Sequence, residues 1–147
     1  MAGFRRGCVL LALVAGCAGR APGPLADYRI EGDAIPAPLA AGGDAVRGRE
    51  IVMGRDANCL LCHAIPETGA RFMGDVGPSL AGVGARLTEG QLRLRLVDQL
   101  RLNRDTVMPS YYRVEGLNRV AAVYRGKPIL DARQIEDVIA YLKTLQR

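Results

Sequence analysis

Large aromatic side chains are scarce in this sequence. It has no Trp, two Phe and five Tyr in 147 residues. Apolar residues reach an ordinary 49%, but Ala, Val and Leu supply most of them, so little bulk is available to fill a core. Two readings follow: a small helical domain with an aliphatic core, or a domain whose centre is filled by a large flat prosthetic group. Long apolar runs are missing too. The longest, Cys8–Ala15, is far shorter than the ~20 residues of a membrane-spanning helix. A basic tail is absent, and with 5% aromatics this argues against a nucleic-acid partner. Histidine occurs once, at position 63.

The first residues read as an export leader. Arg5 and Arg6 precede the short apolar run, and small residues follow it. Residues 1–16 form this signal peptide if cleavage falls before Cys17. Removing it takes the net charge from +5 to +3 and leaves 131 residues, enough for one domain. Val14-Ala15-Gly16-Cys17 looks like a lipoprotein cleavage box, whose cysteine takes a thioether-linked diacylglycerol. The alternative is an ordinary signal-peptidase site with Gly16 and Ala18 as the small residues. Either way the expected product is exported to the periplasm, membrane-tethered if Cys17 is acylated. That compartment is oxidising, so surviving thiols call for an explanation.

Residues 17–42 are rich in Pro, Gly and Ala and show no sustained period, which predicts a linker or an extended N-terminal arm. The compact domain is expected at 43–147. Asp44 caps a predicted helix to about Met53, with Ala45, Gly48, Ile51 and Val52 on one face. Thr88 and Gln91 fit a capping box ahead of Leu92, Leu96 and Leu100. Asp131 caps a third helix to about Leu145, with Ile135, Val138, Ile139, Leu142 and Leu145 at helical spacing. The intervals 64–87 and 103–113 read as loop, and 114–124 as partly helical. No segment reads as a strand, so the expected class is all-α.

Cys59-Leu60-Leu61-Cys62-His63 is the pattern that attaches haem c. Two cysteines three residues apart on one helical turn reach the two vinyl groups along one edge of the ring. The following His is then directed beneath the iron. Competing chemistries lack the parts. A closed zinc site needs four ligands, and the mature domain offers Cys59, Cys62 and His63. A thioredoxin-like Cys-x-x-Cys needs a βαβ setting, and a plain disulfide leaves His63 without a role. One covalent haem c accounts for the thiols and the thin core together.

With His63 the only histidine, a bis-histidine iron cannot form within this chain. Among the methionines, Met53 lies on a helix that should pack inside the domain. Met73 is ten residues past His63, with the chain still on the same side of the ring. Met108 follows a helix long enough to reach the other side, and Pro109 stiffens its loop. Met108 is therefore the expected sixth ligand; the alternative is an ordinary core side chain. A thioether facing imidazole raises the reduction potential and closes the iron to substrates, as an electron carrier requires.

The order of these parts resembles class I cytochrome c. That resemblance implies that Pro78, in Gly77-Pro78-Ser79-Leu80, offers its carbonyl to the proximal imidazole and fixes its tautomer. Four blocks look closer still to the SoxX family, the small cytochrome subunit of the sulfur-oxidation system. They are Asp105–Arg113 (DTVMPSYYR), Gly116–Val120 (GLNRV), Gly126–Leu130 (GKPIL) and Gln134–Leu142 (QIEDVIAYL). The resemblance covers roughly 44–147. It implies a heterodimer with a SoxA-type haem subunit that couples thiosulfate to a cysteine of a SoxY-type carrier protein. Electrons then pass to a small soluble cytochrome c. The active cysteine belongs to the larger subunit, so no catalytic residue is expected in this chain.

Residues 86–127 hold nine basic and four acidic side chains. The excess reads either as a surface that steers an acidic partner or thiosulfate, or as a solvated Arg-rich helix. Two other functions remain open at this point: a free-standing monohaem carrier, and an interaction protein with a merely structural haem.

Overall fold

The computed structural model describes residues 25–147; the leader and Cys17 lie outside the described residues. Within them the chain is all-α. Four helices form: α1 (Ala45–Met53), α2 (Val83–Arg86), α3 (Glu89–Asp98) and α4 (Ala132–Thr144). Short 3-10 turns join them, and no strand occurs among the described residues.

Each long helix starts where its capping residue dictates. Asp44 Oδ1 accepts from the Val46 and Arg47 N–H groups at 2.9 Å each. Thr88 and Gln91 exchange side-chain-to-backbone bonds ahead of α3, and Asp131 and Gln134 do so ahead of α4. The apolar face of α4 is buried through Ile135, Val138, Ile139 and Leu142.

The crossing of α1 and α4 organises the domain. A Cβ at Gly48 would collide with the Asp137 carbonyl, so only glycine lets the two backbones approach this closely. Asp137 sits in the same contact. It accepts from the Asp44 N–H at 2.7 Å and from Arg47 Nε at 2.9 Å. Burial alone would raise its pKa, but Arg47 and the Asp44 amide outweigh burial and hold the carboxyl below its usual range.

Several segments differ from the sequence-based expectation. Residues 25–42 have no regular secondary structure, as their prolines predict, yet they are packed on the domain and add to its core. Ile35 is fully buried and Leu39 nearly so. Ile35 N–H donates to the Gly90 carbonyl at 2.9 Å. The predicted loop 64–87 contains a 3-10 turn at Pro66–Thr68 and the short α2. In 114–124 only Ala122–Tyr124 forms a 3-10 turn. Leu92 and Leu96 are buried but Leu100 is 37% exposed. The reason is local: the backbone leaves α-geometry at Asp98 and tightens to 3-10 over Gln99–Arg101, which rotates Leu100 off the helical face.

Arg93 overturns the picture of α3 as a helix with an arginine-lined solvent face. It is 1% exposed. Its Nε and Nη2 donate to the two Glu136 carboxylate oxygens at 2.7 and 2.8 Å, a bidentate pair. Its Nη1 donates to the Ile35 carbonyl at 2.7 Å, and Glu136 also accepts from the Leu39 N–H at 2.8 Å. One internal ion pair thus joins α3, α4 and the N-terminal arm.

Candidate haem site

The Cys-x-x-Cys-His turn begins at Asn58, which takes a left-handed conformation at φ 50°. Asn tolerates this region better than most residues. One 3-10 turn over Cys59–Leu61 follows, and His63 N–H closes back onto the Cys59 carbonyl at 2.9 Å. Cys59, Cys62 and His63 therefore lie along one turn and line one cavity of about 630 Å³. That size falls within the range of cofactor pockets.

The loop after His63 is sewn back to the same turn. Gly74 N–H donates to the Leu60 carbonyl and Gly77 N–H to the Cys62 carbonyl, both at 2.8 Å. The imidazole sits directly against Gly77, where any Cβ would strike the ring. His63 Nδ1 lies 2.7 Å from the Pro78 carbonyl oxygen. Because a carbonyl only accepts, the imidazole donates there, and Nε2 is left as the lone-pair nitrogen.

The rest of the cavity wall is largely aliphatic: Val52 from α1, Leu92 and Leu96 from α3, Val138 and Leu142 from α4. Met108 and Pro109 complete it. The other two described methionines are elsewhere. Met53 ends α1, 40% exposed, and Met73 turns its sulfur to the Ile65 N–H at 3.1 Å. Neither lines the cavity, whereas Met108 does.

Three observations make the cavity a fit for haem c. The thiols of Cys59 and Cys62 are unpaired and both line it. Burial pushes the Cys59 thiol up to about 11, so without haem it stands as a neutral thiol in the cavity wall. The Gln99 side-chain oxygen, also in the lining, is buried without a protein partner, an orphan that calls for a group from outside the chain. Among the described residues no cluster of three His, Cys, Asp or Glu side chains offers a rival metal site.

Sequence reasoning missed how the Met108 segment is held. The chain after it bends at Tyr111 and Tyr112, and the two rings go to different surroundings. Tyr111 faces the cavity, and its hydroxyl donates to the Ala57 carbonyl at 2.7 Å. Tyr112 faces the arm, where its oxygen accepts from the Ala26 N–H at 2.6 Å. Ser110 Oγ donates to Asp98 Oδ1 at 2.9 Å. The only advance signal was the density of hydroxyl-bearing residues directly after Met-Pro.

The basic excess of 86–127 is smaller at the surface than its count implies. Arg93 is internal, and Arg113 and Arg101 approach the Asp98 carboxylate at 3.0 and 3.5 Å. Arg104, Arg119, Arg125 and Lys127 are exposed and form no ion pair among the described residues.

The family model for cytochrome c matches residues 45–146. No curated protein matches the chain in sequence. Among solved structures, the chain is similar to one in the crystal structure of SoxXA from P. pantotrophus. The two are 35% identical with a TM-score of 0.75, over 82% of this chain and 95% of that chain. Membership of the cytochrome c family implies a covalently held haem c. The site, the fold and both comparisons agree: the chain belongs to the cytochrome c family and is a SoxX-type cytochrome.

Proposed function

We propose that this chain is the electron-transfer subunit of a SoxAX-type complex. It pairs with a SoxA-type haem subunit, which couples thiosulfate oxidatively to a cysteine of a SoxY-type carrier. The new bond is a sulfur–sulfur bond, and two electrons are released. They pass one at a time through this chain to a small soluble cytochrome c. The observation that carries the reading is the likeness to a chain of SoxXA over 95% of that chain's length.

Cys59 and Cys62 would hold the haem through thioethers, and His63 and Met108 would supply the two side chains that bind its iron. Bound there, haem c supplies a one-electron Fe(III)/Fe(II) couple. The chain's own residues do the rest. Pro78 keeps the His63 tautomer fixed. The aliphatic wall from α1, α3 and α4 excludes water. With both described cysteines committed to haem, no described thiol is left to carry sulfur, so the chain is the redox half of an L-cysteine S-thiosulfotransferase.

Reconstitution tests the division of labour. Thiosulfate added to this chain with SoxA-type and SoxY-type partners should reduce its haem, and leaving out either partner should abolish the reduction. Reduction of this chain by thiosulfate alone would overturn the assignment. No reduction with every component present would indicate a free-standing electron carrier.

The protein is proposed to act in the periplasm, with Cys17 as its acylated N-terminus. The motivating feature is Val14-Ala15-Gly16 directly before that cysteine. The intact mass of the exported chain reads this directly: a diacylglycerol adduct on Cys17 is expected, and an unmodified N-terminus after Ala18 rules it out.

A further inference from the structure

We propose that Asp98 is a positioning residue for the sixth haem ligand: its buried carboxylate holds Ser110 and Arg113 and thereby presents Met108 to the iron. The inference rests on the reading of Met108 as that ligand.

Asp98 ends α3 and is 2% exposed. A carboxylate this deep is costly unless partnered. Both its oxygens are engaged, and by the same segment. Oδ1 accepts from Ser110 Oγ at 2.9 Å, two residues after Met108. Oδ2 lies 3.0 Å from Arg113 Nε, five residues after Met108, an ion pair in contact but without hydrogen-bond alignment. Arg101 approaches Oδ2 at 3.5 Å from the solvent side, 67% exposed.

Backbone bonds fix the same segment to the same helix end. Tyr111 N–H donates to the Leu96 carbonyl at 3.0 Å and Arg113 N–H to the Val97 carbonyl at 3.4 Å. These bonds set the position of residues 111–113. Met108 N–H itself donates to Thr106 Oγ at 3.1 Å within its own loop; of the bonds that tie the segment to the end of α3, the Asp98–Ser110 contact reaches closest to Met108, across Pro109, whose fixed φ transmits the constraint. A thioether is a weak ligand, and its effective strength depends on how little freedom its chain has to swing away. Loosening the segment raises the small fraction of iron left without the thioether, and the apparent affinity of any competitor rises in proportion to that open fraction.

Imidazole titration of the ferric holoprotein tests this, read by loss of the long-wavelength iron–thioether band. Asp98→Ala should tighten imidazole binding about tenfold, equivalent to 1.4 kcal/mol. Ser110→Ala should tighten it by a smaller factor. Asp98→Asn, which keeps an oxygen for Ser110, should restore most of the native value. Asp137→Asn is the control for general destabilisation, because that carboxylate is equally buried but serves the α1–α4 crossing. It should lower the melting temperature without moving imidazole affinity. Met108→Ala should abolish the band at once. If Met108→Ala keeps the band, the ligand assignment fails, and the role of Asp98 falls with it. If Met108→Ala loses the band while neither Asp98→Ala nor Ser110→Ala changes imidazole affinity, the ligand stands and the positioning role is refuted. Should Asp98→Ala fail to fold, Ser110→Ala, a single-oxygen deletion, decides alone.

Discussion

Produced in a host that cannot attach haem, the chain should keep part of its helix content and lose its fixed tertiary packing. The cavity of about 630 Å³ is walled by Val52, Leu92, Leu96, Val138 and Leu142, so beyond their direct contacts α1, α3 and α4 each leave part of an apolar face for the haem to cover. A rigid apolar cavity costs roughly 24 cal/mol per Å³. This one opens to solvent, so about 15 kcal/mol at that rate is an upper bound, but even a fraction of it is large beside the ~5–15 kcal/mol stability of an ordinary domain. The protein relaxes before bearing such a cost. The capped helices have local reasons to persist, so far-UV dichroism should survive better than the near-UV signal, with binding of a hydrophobic dye. Sharp cooperative melting of the apo chain with a native near-UV spectrum would show that the haem is a passenger in the core.

Arg93→Met should destabilise the holoprotein by about 3–5 kcal/mol, the usual cost of leaving one member of a buried ion pair without its partner. Glu136 would keep only the Leu39 N–H while 6% exposed. The double variant Arg93→Met/Glu136→Leu should recover most of the loss, since apolar replacement of a whole buried pair is often neutral. Recovery should be incomplete, because the Ile35 carbonyl and the Leu39 amide both lose a partner. Urea unfolding of the two single variants and the double gives the coupling energy directly. Losses that simply add would mean that the two side chains do not act as a unit.

What the sequence disclosed and what it withheld divide by range. Asp44, Thr88 and Asp131 were readable as helix starts because a cap acts over three residues. Cys59, Cys62 and His63 were readable because one turn of chain brings them together. Pro78 emerged only through the resemblance to class I cytochromes, since nothing local says which carbonyl an imidazole fifteen residues away will find. Met108 could be singled out because the other methionines had worse topological prospects, a coarse argument that needs no distances. Arg93 was beyond reach. In Leu92-Arg93-Leu94 an arginine between leucines reads as a solvent-facing residue, and its partner Glu136 lies 43 positions on. Leu94 itself is fully buried, so α3 has little of the polar face that periodicity assumed. Ile35 and Leu39 were hidden by their prolines, which mark extended chain and say nothing of whether it is packed.

The packed arm sets the length of a leash. Were the chain free up to residue 42, a lipid on Cys17 would leave 26 residues of slack, about 90 Å at full extension. The fold instead takes hold of the chain at Ala26, whose N–H meets the Tyr112 oxygen. Eight residues lie between that point and Cys17, a reach of at most about 30 Å. With Cys17 acylated, a domain held so short would not explore the compartment. It would skim the bilayer in a layer scarcely deeper than itself, where its search for partners would be two-dimensional. A partner anchored in the same leaflet gains in local concentration, and one roaming in bulk gains nothing.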